Sequence, residues 1–170
     1  MTTAKNRVQQ GIRALLAVFT SVDDTLANQY LNPQQQDAFY RMSRAEQLHS
    51  LNVLRAVLQQ ADETPHALAV AALLHDVGKS RYHLAVWQKT VSVLVKAFIP
   101  PLYNYLSADE RLTLLRAPFT VRKYHPKWSG QILRDCDSSE VAIWLAEHHQ
   151  DHPDLHQSHT NYPLLLRLQH

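Results

Sequence analysis

Leu73–Leu74–His75–Asp76–Val77–Gly78–Lys79 is the stretch on which the fold of this chain turns. A histidine and an aspartate stand side by side at the end of an apolar run. That run begins at His66, behind Thr64–Pro65, a cap followed by a proline that suits a helix start. His66 to Asp76 therefore reads as a strongly apolar helix, stopped at Gly78, which lets the chain turn away. Successive helical residues point about 100° apart, so the two side chains fan across one site. Such a pair can share one metal ion, or the aspartate can bridge two. Lys79 adds an ammonium able to hold a phosphate or stabilise a leaving oxygen. Taken alone the pair has a plainer reading, with Asp76 capping a turn and His75 a hydrogen-bonded core histidine.

The other histidines shift that balance. There are eleven in 170 residues, and imidazole is the side chain best suited to metal binding and proton transfer near neutral pH. His49 lies mid-helix on a leucine-rich element. His125 precedes Pro126 at an expected helix start. His148 and His149 form a second adjacent pair at the end of an apolar helix containing Val141, Ile143, Trp144 and Leu145. Each has its own plain reading: a buried hydrogen-bonded ring, a loop residue, a solvated helix end. One convergent site accounts for all of them together.

Working outward, helical spacing recurs along the chain. Residues 5–20 read as a helix, with Val8, Ile12, Leu15, Leu16 and Phe19 on one side. A second is expected over 23–31. Asn32–Pro33 starts a third, reaching about Met42. Ser43–Arg44–Ala45–Glu46 has the form of a capping box and opens a helix ending near Gln60. A long helix from about Leu84 to Ile99 stops at Pro100, and its apolar run Val91 to Leu106 reads as buried, with a weak membrane-interface contact as the lesser alternative. Ser107 caps a short helix over 108–116, residues 118–125 read as irregular or extended, and His125–Pro126 starts a helix to about Asp135. Ser138 or Ser139 caps another through His149. Asp151 to Tyr162 reads as a polar surface loop, and Asn161–Tyr162–Pro163 opens a terminal helix.

Composition agrees with helices. Only three glycines occur, Gly11, Gly78 and Gly130, too few for the turns of most all-β or Rossmann folds. The hydrophobic share of 45% allows a sizeable core. The expectation is an all-α, multi-helix bundle forming one domain over residues 1–170, with a motif core at about 43–152. Cys136 is the only cysteine, which excludes an intrachain disulfide and a cysteine-rich zinc site and suits a reducing cytoplasm. The start of the chain has no leader-like apolar segment. No run reaches the roughly 20 apolar residues of a membrane span. A net charge of +2 without a basic run leaves no footprint for duplex nucleic acid.

The ordered set His49, His75–Asp76, His125–Pro126 with Gly130 and Leu133, then His148–His149, resembles the HD superfamily of metal-dependent phosphohydrolases over about Glu46 to His149. His–Asp–Val–Gly–Lys and the later pairs resemble its HD-GYP branch. The resemblance implies an HD-domain bundle in which His49, His75 and Asp76 hold one metal. Asp76 then bridges to a second, completed by His125, His148 and His149, and Lys79 contacts the substrate phosphate. Two departures stand out. Gln150, Asp151 and His152 follow the paired histidines where the branch has an acidic residue and Gly–Tyr–Pro. Asn161–Tyr162–Pro163 is only a displaced echo, so specificity for cyclic di-guanylate does not carry over. The family's closing aspartate is also missing from Leu164 to His170. Either the chain is cut just short of that ligand or the protein lacks it, and in both cases the first metal site is one ligand short.

The chemistry implied is phosphate-ester hydrolysis. Nitrogen and carboxylate ligands suit one or two divalent ions among iron, manganese, zinc, nickel and cobalt, and such an ion lowers the pKa of a bound water. Asp76 and Lys79 are the expected catalytic residues. Lys79 and Arg81 are expected on the phosphate of a small phosphate-ester or nucleotide substrate, although Arg81 also reads as an ordinary surface arginine. Glu46 shares a helix face with His49, yet reads better as the partner of Ser43. Trp87, Trp128 and Trp144 are expected in the core or at the site rim. His66, His83, His156, His159 and His170 are expected to be solvated or to make local hydrogen bonds. The alternative function is an inert HD-fold signalling or scaffold module.

Overall fold

The structure is a computed structural model, and it describes residues 22–169. The expected helix over 5–20 lies outside them. Among the described residues all regular structure is helical. The elements are α1 (Asp24–Asn28), α2 (Pro33–Tyr40), α3 (Arg44–Gln59), α4 (His66–Leu74), a 3₁₀ helix (Val77–Arg81), α5 (Val86–Phe98), α6 (Pro100–Leu106), α7 (Ala117–Asp135), α8 (Glu140–His148), a second 3₁₀ helix (Pro153–His156) and α9 (Tyr162–Gln169).

Local chemistry sets most of the starts. Asp23 Oδ1 accepts from the Leu26 amide. Asn32 and Gln35 form a reciprocal box, at 2.8 and 3.0 Å, ahead of Pro33. Glu46 accepts from the Ser43 amide at 3.1 Å, as the capping-box reading expects. Ser139 Oγ accepts from the Ala142 amide to start α8.

α4 is the centre of the core. Leu68 to Leu74 are all buried, so this helix is covered on every side. α3 and α8 pack against it and α9 closes over one end. Each fully buried leucine there contributes on the order of 2 kcal/mol by leaving water. His75 caps this buried helix and Asp76 follows directly after it.

The region between α4 and α8 departs from the expectation in four ways. Pro100 and Pro101 do not simply end a helix; they occupy the first turn of α6, where a missing N–H costs nothing. Ser107 ends α6, its hydroxyl donating back to the Tyr103 carbonyl, and 108–116 is not a regular helix. Residues 118–125 are helical, and α7 runs straight through Pro126. The run Val91 to Leu106 is also not a buried helix. Gln88 and Ser92 face inward, while Trp87, Val91, Leu94 and Phe98 form an exposed stripe. Among the described residues no helix is long and apolar enough to cross a membrane.

Candidate metal centre

Asp76 sits just past α4, only 3% exposed. The 3₁₀ helix after it lies tightly on α7. There the Gly78 amide donates to Ser129 Oγ at 2.9 Å. A Cβ at Gly78 would run into the His125 carbonyl and the Ser129 amide nitrogen. Gly78 has no positive φ, so glycine is required for close approach of two backbones rather than for a left-handed turn. This contact brings α7, and with it His125, up to Asp76.

Four imidazoles surround the carboxylate. His49 Nε2 and His75 Nε2 lie 3.8 and 3.5 Å from Oδ2. His125 Nε2 and His149 Nε2 lie 3.2 and 3.5 Å from Oδ1. Lys79 Nζ donates to Oδ2 at 2.6 Å. His75, His125 and His149 are held the same way. The Nδ1–H of each donates to a backbone carbonyl of the preceding turn, Ala72 at 3.0 Å, Val121 at 2.9 Å and Ala146 at 2.7 Å. Carbonyls only accept, so the proton of each neutral ring is on Nδ1 and the Nε2 lone pair points at Asp76. Pro126 has a part in this. Lacking an N–H, it leaves the Arg122 carbonyl without its helical donor, and His125 Nδ1 lies 3.2 Å from that oxygen.

Lone pairs of nitrogen aimed at carboxylate oxygens lack a proton between them. Asp76 Oδ1 and His149 Nε2 are accordingly buried without a hydrogen-bond partner, a costly state that a cation would relieve. The ligand atoms fall into two triads sharing Asp76, namely His49–His75–Asp76 and Asp76–His125–His149. Their chemistry fits divalent transition metals. Burial pushes His125 below the ordinary imidazole range and His149 down to about 4, so both are neutral and able to ligate near pH 7. Burial works against ionisation of Asp76, yet the electrostatic influence of His75 and of the Lys79 ammonium, with contacts to His125 and His149, holds it well below the usual carboxylate range.

A cavity of about 300 Å³ opens over the centre. Asp76, His49, His125 and Gln150 line its inner end, with Lys79, Arg122 and the Lys89–Glu46 ion pair as charged groups and Tyr82, Leu84, Val93, Pro118 and Val121 as apolar walls. A second cavity reaches His49, His75 and His149 from the side of α9.

Two expected residues are placed elsewhere. His148 is about 100° round α8 from His149, and its Nδ1 faces Asp151 Oδ2 at 2.7 Å instead of the centre. Arg81 bonds Gln131 Oε1 and lies over the Trp128 ring; it does not line the cavity. Trp128 is buried, with its N–H on Glu110. Gln150, read above only as a departure from an acidic position, donates its amide to His125 Nε2 at 3.1 Å. Nothing local in the sequence marks Lys89 and Arg122, which meet over the cavity only because α5 and α7 pack.

The fold and centre together define an all-helical protein with a buried His/Asp cluster suited to metal. More particularly, the chain belongs to the HD domain family, whose model matches residues 48–167 and whose members are generally metal-dependent phosphohydrolases. No curated protein and no solved structure matches it.

Proposed function

We propose that this protein hydrolyses a phosphate ester of a small, nucleotide-like molecule, with His49, His75, Asp76, His125 and His149 holding one or two divalent ions. The observation that carries the reading is the pair of triads sharing Asp76, with Oδ1 and His149 Nε2 left unpaired beneath a cation-lined cavity. This shared carboxylate supports the two-metal, HD-GYP-like arrangement. Bound ions would supply a water of lowered pKa and neutralise charge on the phosphoryl group. The protein supplies the rest. The three Nδ1–H bonds to backbone fix those rings, so on loading it is Gln150, on His125 Nε2, and Lys79, on Asp76 Oδ2, that give way. Lys79 and Arg122 draw an anionic substrate into the cavity and balance charge that develops on its oxygens. Tyr82, Leu84, Val93 and Pro118 give a ring or nucleoside an apolar wall.

The test is elemental analysis of the purified protein together with a panel of nucleotides and an aryl phosphodiester. The expected result is bound transition metal and hydrolysis that Asp76→Asn abolishes. Lys79→Met should slow hydrolysis roughly 100-fold while keeping metal. Metal-loaded protein that hydrolyses nothing beyond what Asp76→Asn does overturns the enzyme reading and leaves an inert module.

A further inference from the structure

The side of α8 away from the centre carries its own cluster. His148 Nδ1 lies 2.7 Å and His156 Nε2 2.9 Å from the same oxygen, Oδ2 of Asp151. The two rings are 4.5 Å apart between centroids. The three donor atoms are close enough for a single ion to touch all of them. We propose that His148, Asp151 and His156 form an accessory transition-metal site, independent of Asp76, that clamps the segment after α8.

Three features support a built site rather than a chance meeting of polar side chains. The donor set is two imidazoles and one carboxylate, which suits zinc, nickel or cobalt. The backbone that presents it is fixed: the Asp151 amide donates to the His148 carbonyl at 3.0 Å, and Gln169 Nε2 on α9 donates to the Asp151 carbonyl at 2.9 Å. The rings are held from behind by Trp144, whose centroid lies 4.9 Å from that of His148 and 5.3 Å from that of His156. All three ligands keep some exposure, 29%, 41% and 17% of their side chains, so an ion can enter from solvent and keep a water. The clamped segment contains His149 and Gln150, which reach the central cluster from its other face. Holding His148 to His156 therefore also limits movement of these two residues.

The experiment uses the full chain, stripped with chelator and titrated with Co²⁺ or Zn²⁺ in mildly alkaline buffer. Ions per chain are counted after gel filtration and Trp144 fluorescence is followed. His156→Gln keeps a donor for Asp151 but removes a good ligand. It is expected to lose one ion per chain and the Co²⁺ quenching of Trp144. Asp76→Asn is expected to keep both, and the double variant to hold no ion. The proposal is overturned if His156→Gln and Asp151→Asn, folded by circular dichroism, bind as many ions as the parent chain. It is equally overturned if the quenching needs millimolar metal, which is adventitious surface binding only.

Discussion

His149 shows how a single residue is made ready to act as a ligand. Its Nδ1 proton is committed to the Ala146 carbonyl, and its Nε2 is buried facing Asp76 without a partner. Burial lowers its pKa from 6.5 to about 4. Between those values the unfolded chain carries a proton at this position that the folded chain lacks. Protonation there favours unfolding, so the stability of metal-free protein falls as pH drops through the window, by about 1.4 kcal/mol per unit for each such group. Below about 4 the folded form also takes the proton and this contribution to the slope ends. Asp76, held well below its ordinary range, stays ionised throughout the window and loses its partners only at lower pH. Thermal melts of chelator-treated protein from about pH 7 to about pH 5 should therefore fall less steeply for His149→Gln than for the parent chain. Equal slopes would mean that this ring is not buried neutral.

At the scale of elements, the site depends on how closely the 3₁₀ helix approaches α7. Gly78 and Gly130 make a useful pair. A Cβ on Gly78 meets backbone, the His125 carbonyl and the Ser129 amide, and neither can move without shifting α7. A Cβ on Gly130 meets the Glu147 side chain, which can swing away at the loss of its 2.8 Å pair with Arg134. Overpacking against backbone should place Gly78→Ala at or above the upper end of the usual range, about 3 kcal/mol. Gly130→Ala recovers about 1 kcal/mol of helix propensity and should come out near neutral. Urea midpoints would show the difference, and Gly78→Ala should also lose bound metal because His125 is displaced. Two variants of equal stability would contradict the close approach.

Across the whole molecule, what was legible in the sequence was what is local. Caps at Asn32, Ser43 and Ser139 and the apolar run of α4 mark helices by short-range chemistry, and they brought His49, His75, Asp76, His125 and His149 into view. What failed depends on side-chain geometry that residue types do not announce, whether close by in the chain or distant. Pro126 is tolerated inside α7 because His125 Nδ1 lies against the carbonyl it frees. His148 reads like an equal candidate to His149 until the packing of α8 fixes which of the two faces Asp76. The same holds for α5, whose apolar residues line more than one side, so periodicity alone does not say which side is covered. Phe98 is 78% exposed at its end, whereas Leu73 in α4 is fully buried. Phe98→Ser should therefore change folding stability by no more than about 0.5 kcal/mol, while Leu73→Ala opens a cavity in the core and should cost about 2–5 kcal/mol. Chemical denaturation of both variants separates a bare face from a core one. A loss for Phe98→Ser as large as that for Leu73→Ala would show that the α5 stripe is covered in the folded protein.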